Sequence, residues 1–179
     1  MKPVILYKHF DEDFVNKFLT LAESADYYKG HVQVEHGQPT RYMPDARQVD
    51  CYDVDDQSLR DTLFELAQEH NDGMDITHTG EVVLLRYRPG GKFVWHSDIL
   101  EGDPQRKLTL VVQLSEPDTY EGGQLNIKKC STEPFTHSGS VVIFPSNISH
   151  RVTPVTEGVR YSLITWIYGP ERELDKDWH

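Results

Sequence analysis

The sequence predicts a mainly β protein, an antiparallel sandwich or barrel with two N-terminal helices packed against it. Three observations predict it. From residue 80 onward, strand-like runs rich in β-branched and aromatic residues follow one another: Glu81 to Tyr87, Phe93 to His96, Lys107 to Leu114, Gln124 to Ile127, Ser140 to Phe144, Ile148 to Thr153 and Val159 to Ile167. Turn clusters separate them at Pro89-Gly90-Gly91, Glu101-Gly102-Asp103-Pro104, Glu121-Gly122-Gly123, His137-Ser138-Gly139 and Glu157-Gly158, with no helical period between. Ahead of residue 80, two stripes of apolar residues recur at helical spacing.

The elements follow in order. Residues 3–7 form a short apolar strand. Asp11 then precedes Phe14, Val15, Phe18, Leu19, Leu21 and Ala22, with acidic residues in the first turn, which predicts a helix of about four turns. His31 to Glu35 alternates weakly, and Gly37 to Pro44 is loop chemistry with two prolines and exposed polar and aromatic residues. Gln48 to Val54 reads as a strand. A second helix, capped by Asp55, Asp56 or Ser58, carries Leu59, Leu63, Leu66 and Ala67 on one stripe until Asn71-Asp72-Gly73 stops it. Gly122-Gly123 reads as a hairpin turn.

At 179 residues the chain suits a single domain over 1–179, with 37% hydrophobic residues to fill one core. The formal charge of −11 is spread along the chain and repels phosphate backbones, so nucleic acid is disfavoured as a partner. Cys51 and Cys130 stand far apart with no CxxC pair, and Met1-Lys2-Pro3-Val4-Ile5 lacks the pattern of a secretory leader. Both features predict free thiols in a cytoplasmic setting. No apolar run approaches the ~20 residues of a membrane span, so no membrane partner is expected.

The stretch Lys92-Phe93-Val94-Trp95-His96-Ser97-Asp98 carries the chemistry. On a strand His96 and Asp98 project to one side and Ser97 to the other, which brings an imidazole and a carboxylate within reach of one ion. Ile148 to Thr153 offers a third donor, His150. With a turn centred near Thr156, His150 faces Ser162 across a hairpin, and Arg160 sits one diagonal step away, roughly 7–8 Å; a bulge beside Gly158 shifts that register. Two histidines and a carboxylate form the facial set that holds Fe(II) and leaves positions open. Arg160, a cation in an otherwise apolar strand, wants a buried anionic partner, which a metal-chelating dicarboxylic acid supplies; Ser162 adds a hydroxyl donor. The remaining histidines, His9, His31, His36, His70, His78, His137 and His179, read as structural or exposed.

On these residues the sequence resembles the Fe(II)- and 2-oxoglutarate-dependent dioxygenases, in their prolyl-4-hydroxylase-like branch with the bacterial PKHD-type hydroxylases. The resemblance rests on Arg86-Tyr87-Arg88-Pro89-Gly90-Gly91, His96-Ser97-Asp98 and Tyr120-Glu121-Gly122-Gly123-Gln124-Leu125. It continues through Gly139 to Ser146, His150 to Val155 and Gly158 to Ser162. It implies a double-stranded β-helix, or jelly roll, with residues 80–168 as the core bearing the metal site and 1–79 as helical support and lid. It implies His96, Asp98 and His150 as iron ligands and Arg160 as anchor of the 2-oxoglutarate distal carboxylate. Tyr87 lines the cosubstrate pocket on the same ground, and Thr109 and Gln113 stand on the strand that borders it; some relatives carry a tyrosine near the position of Gln113. The implied reaction uses O₂ and 2-oxoglutarate, with ascorbate as a further binding partner, to hydroxylate an unactivated C–H bond. A prolyl residue in a peptide or protein is the first expected substrate, followed by a free amino acid or other small molecule. An AlkB-like demethylase is disfavoured, because that group carries a second arginine where this strand has Ile164 and Trp166. A non-catalytic metal-binding jelly roll is the alternative outside the enzymes. The segments Gly37 to Asp45 and Ile99 to Gln105, with Arg41, Tyr42 and Arg47, are expected to form the rim over the metal.

Overall fold

Strict alternation on the long strands decides how the chain is layered. The computed structural model describes residues 1–32, 39–99, 105–128, 130 and 135–170. In chain order the first elements are β1 (Val4–Leu6), α1 (Glu12–Ser24), β2 (Tyr28–Lys29), β3 (Arg47–Gln48), β4 (Asp50–Val54), α2 (Gln57–Glu69) and β5 (His78–Tyr87). They continue with β6 (Lys92–His96), β7 (Arg106–Gln113), β8 (Tyr120–Gly122), β9 (Leu125–Ile127), β10 (Val141–Pro145), β11 (His150–Val152), β12 (Val155–Gly158) and β13 (Arg160–Tyr168). All pairings are antiparallel. A seven-stranded major sheet runs β1-β10-β7-β13-β5-β4-β2, a four-stranded minor sheet runs β3-β6-β11-β9, and β12 pairs with β8.

The helices start where the sequence predicts. The Asp11 carboxylate accepts from the Phe14 amide and that of Asp56 from the Leu59 amide, each cap contributing about 1 kcal/mol. Phe18, Ala22, Leu59, Leu63 and Leu66 then pack on one face of the major sheet, against Val82, Leu84, Leu110, Val112 and Leu163. The intervening residues point the other way. Val83, Leu85, Tyr87, Val111 and Phe144 meet Val152 and Leu125 of the minor sheet in a second core. The major sheet is thus buried on both faces, which is why its strands read as nearly continuous apolar runs. Asp50 is the charged exception on its edge: burial opposes its ionisation, but hydrogen bonds from Lys29 and Arg86 outweigh burial and hold its carboxyl below the usual range.

Two expectations about pairing are corrected. His150 does not face Ser162, because β11 and β13 lie in different sheets: His150 pairs with His96 and Ile127, and Ser162 with Leu85 and Gln113. The segment between them is the strand β12, which pairs with β8. Gly122-Gly123 is likewise no hairpin turn, since β8 and β9 belong to separate sheets. Their φ angles are +73° and +57°, and a Cβ on Gly122 would stand 2.1 Å from the Pro154 carbonyl oxygen, so this is a crossing where only glycine fits. Among the described residues no helix is long and apolar enough to cross a membrane. The turn expected at 101–104 and the rim residues 37, 38 and 100–104 lie outside the described residues, as do His36 and His179.

Candidate metal centre and cosubstrate cavity

The minor sheet places two imidazoles side by side, because His96 and His150 are direct partners across β6 and β11. Their rings lie 4.2 Å apart between centroids. His96 Nδ1 is 2.8 Å from the Val94 carbonyl oxygen and His150 Nδ1 is 3.0 Å from that of Ile148. A carbonyl only accepts, so each Nδ1 carries a proton, and Nε2 is the ring nitrogen of each that faces the site. Phe93 stacks on His96 and Phe144 meets His150 edge-on, which fixes both ring planes. Burial, with His150 adding to it and Asp98 opposing, pushes His96 down to about 4, so it is neutral at neutral pH.

The carboxylate arrives by another route. The strand ends at His96, and the Asp98 amide donates to the Ser146 carbonyl just past β10. Asp98 Oδ1 then lies 3.7 Å from His96 Nε2 and Oδ2 lies 3.5 Å from His150 Nε2. The three donor atoms fall within 4.8 Å of one another, with Asp98 and His150 buried. Because the chain leaves the strand there, Ser97 does not point away as expected: it lines the cavity, its hydroxyl donating to the Ile99 carbonyl.

The major sheet supplies the opposite wall. Arg160, Ser162, Ile164 and Trp166 share the inner face of β13 at every second position, with Arg160 beside Tyr87 and Ser162 beside Gln113. Together with the three donors, they line one cavity of about 260 Å³. Arg160 is 1% exposed, yet among the described residues its Nη2 has no hydrogen-bond partner, and neither does the buried Ser162 hydroxyl. A cation sealed from water without an anion costs several kcal/mol. The cavity therefore fits a metal ion flanked by an acid whose far carboxylate reaches Arg160 and Ser162, the chemistry of Fe(II) with 2-oxoglutarate. Tyr87, also fully buried beside the Arg160 guanidinium at 5.5 Å, has its phenol pushed up by burial, with Arg160 opposing, and stays neutral.

Thr109 and Gln113 occupy the same inner face but stand behind the cavity. Gln113 Oε1 accepts from Arg160 Nε, while Nε2 donates to the Ser115 carbonyl and the Tyr120 hydroxyl. Both amide protons are taken, so Gln113 acts through Arg160 and donates nothing to a bound acid. The Thr109 hydroxyl donates to Asp98 Oδ2 at 2.6 Å. Sequence reasoning missed Ser146, Tyr120, Trp166 and Arg106. Trp166 shares the parity of Arg160 and Ser162 on β13, a signal that was available. Arg106 lies over the Trp166 ring and bonds the Asp98 carbonyl, which no local pattern announces. Of the rim, Thr40 and Arg47 line the cavity, as does His31, which the sequence left among the structural or exposed histidines.

Comparison with known proteins agrees with this geometry. Residues 82–168 match the family model of the 2OG-Fe(II) oxygenase superfamily. The chain is 38% identical over 96 residues to a PKHD-type hydroxylase of Pseudomonas putida strain W619, covering 49% of this chain and 42% of the relative. It is 26% identical over 165 residues to a PKHD-type hydroxylase of Synechococcus sp. strain JA-2-3B'a(2-13), covering 88% and 68%. The chain thus spans about two-fifths of the Pseudomonas relative's length. Among solved structures, a prolyl-4-hydroxylase of Pseudomonas putida superposes with a TM-score of 0.75 at 18% identity, covering 94% and 92% of the two chains. A prolyl hydroxylase of Trichoplax adhaerens, in complex with a hypoxia inducible factor peptide fragment, gives 0.73 at 16%, covering 93% and 83%. At these identities the superpositions establish the jelly-roll fold. Through residues 82–168 the chain matches the 2OG-Fe(II) oxygenase superfamily model, and the relatives it resembles there are PKHD-type hydroxylases.

Proposed function

We propose that the chain is an Fe(II)- and 2-oxoglutarate-dependent dioxygenase that hydroxylates an unactivated C–H bond, with a prolyl residue of a peptide or protein as its substrate. In this reading His96, Asp98 and His150 hold the iron, Arg160 and Ser162 receive the distal carboxylate of 2-oxoglutarate, and Tyr87 borders it. The observation that carries the reading is the buried Arg160 Nη2, without a partner among the described residues, in the same cavity as the three-donor set. A bare metal-binding module has no use for such a cation, whereas a dicarboxylic cosubstrate leaves it paired. The bound iron supplies the oxidation of the C–H bond with O₂, releasing succinate and CO₂. The chain's residues orient the cosubstrate, keep water from the cavity and present the substrate at its mouth.

The prolyl assignment is supported by the names of the prolyl hydroxylases on which the chain superposes and by the rim, where Arg47 and Thr40 line the cavity's mouth. Residues 1–79 support and cover residues 80–168 as parts of one domain, a reading favoured by the core that α1 and α2 share with the major sheet. A screen of proline-containing peptides, free amino acids and methylated oligonucleotides, with Fe(II), 2-oxoglutarate and ascorbate, tests the substrate. Succinate release coupled to a mass gain of one oxygen on a peptide is expected, with mild salt dependence. Oxidation of only the oligonucleotides, or a steep salt slope for a tight binder, overturns the peptide reading.

A reducing cytoplasmic setting is part of the same proposal, supported by Cys51 and Cys130 not being joined in a disulfide. Burial pushes the Cys51 thiol up to about 11, with Arg47 opposing. In the native protein at mildly alkaline pH, iodoacetamide is therefore expected to modify Cys130 first and to leave Cys51 until denaturant is added, as read by intact mass. A disulfide in the non-reduced protein contradicts the compartment.

A further inference from the structure

We propose that Thr109 is a positioning residue for the metal site: with Ser146 it forms a buried hydroxyl relay that selects which oxygen of Asp98 meets the ion. The proposal rests on the reading of His96, Asp98 and His150 as metal ligands. Thr109 and Ser146 are both fully buried. Thr109 Oγ1 lies 2.6 Å from Asp98 Oδ2 and 3.0 Å from Ser146 Oγ.

The directions of these bonds follow from proton counting. A hydroxyl has one proton, and an ionised carboxylate only accepts. Thr109 therefore gives its proton to Oδ2, and in the 3.0 Å contact Ser146 must be the donor. Ser146 is itself pinned, its amide donating to the Lys107 carbonyl and its carbonyl accepting from the Asp98 and Ile99 amides. One residue thus fixes the aspartate backbone and, through Thr109, its side chain. Oδ2 is engaged by Thr109, whereas Oδ1 makes no hydrogen bond among the described residues. The relay leaves Oδ1 as the free donor and keeps the carboxylate from rotating to offer both oxygens. A one-oxygen aspartate leaves the other coordination positions to cosubstrate and O₂. Partners of this kind, lying behind the ligands, typically change metal affinity by about 10–100-fold when removed.

The test compares Thr109→Val, which keeps the shape and removes the hydroxyl, with Thr109→Ser, which keeps the hydroxyl and removes the methyl. Mn(II) and Co(II) dissociation constants and the Co(II) visible spectrum are read on the full chain without turnover. Thr109→Val is expected to bind about 10–100-fold more weakly with an altered Co(II) spectrum, and Thr109→Ser to return to within about threefold of the parent chain. Parent affinity and spectrum in Thr109→Val, or equal weakness in both variants, overturns the relay. Ser146→Ala keeps every backbone bond and is the second variant should Thr109→Val not fold. A loss of several-fold in metal affinity supports the proposal, and parent affinity there overturns it. Failure of the ligand assignment looks different: the parent chain and His150→Ala would then bind Mn(II) equally.

Discussion

Replacing His96, Asp98 or His150 by alanine abolishes stoichiometric Fe(II) binding while the fold persists. Each variant leaves two of three donors that lie within 4.8 Å of one another. The loss in affinity is expected to exceed the about 10–100-fold that follows removal of a group behind the ligands. The fold persists because the apolar packing between the sheets is supplied by Val83, Val111, Phe144 and Val152 and not by the three donors. Asp98→Ala additionally leaves the buried Thr109–Ser146 hydroxyl pair one acceptor short, at about 1–3 kcal/mol, and is the least stable of the three. Asp98→Glu is expected to fail as well, since a longer arm misplaces the oxygen. Metal analysis after equilibration with Fe(II) under anaerobic conditions, together with circular dichroism, checks all four. Equal iron content in the parent chain and the variants would sink the site.

Arg160→Ala raises the KM for 2-oxoglutarate by about 30- to 1,000-fold while iron affinity changes little. The basis is the loss of a buried charge–charge pair worth about 2–4 kcal/mol. The guanidinium is oriented by Gln113 from behind, and its Nη2 is the atom left for the acid. Arg160→Lys rescues only partly, because an ammonium cannot offer two parallel donors to the acid and donate to Gln113 Oε1 in the same geometry. Turnover against 2-oxoglutarate concentration is the measurement. Unchanged cosubstrate dependence transfers the anchor to another residue.

How much of this was legible in the sequence depends on which physical signal each feature leaves. The long strands were legible because β5, β7 and β13, buried on both faces, read as nearly continuous runs of β-branched and aromatic residues between turn clusters. The helix caps were legible because Asp11 and Asp56 are the acceptors that orphaned amides require. The three donors and Arg160 were legible as residue types in order. Pairing was not. Alternation shows which face a residue occupies but not which strand lies beside it, so His150 was set opposite Ser162 when its neighbour is His96. Strands of two to four residues, such as β2, β3, β8 and β12, are too short to show a period. The same limit hid the part of Thr109: the resemblance put it on the strand beside the pocket, but its bond to Asp98 depends on where the chain goes after leaving β6. Gln113 illustrates the converse. Its position beside the pocket was expected, and only its full set of hydrogen bonds reveals that it serves Arg160.

The most direct test of the central claim is conversion of 2-oxoglutarate to succinate by the parent chain and by His150→Ala, measured with and without Fe(II) and with and without O₂, in the presence of the peptide pool. The account predicts succinate only when the parent chain, Fe(II) and O₂ are all present, accompanied by a peptide that has gained one oxygen. Equal succinate from His150→Ala, or none from an iron-loaded parent chain with any substrate class in the screen, contradicts it.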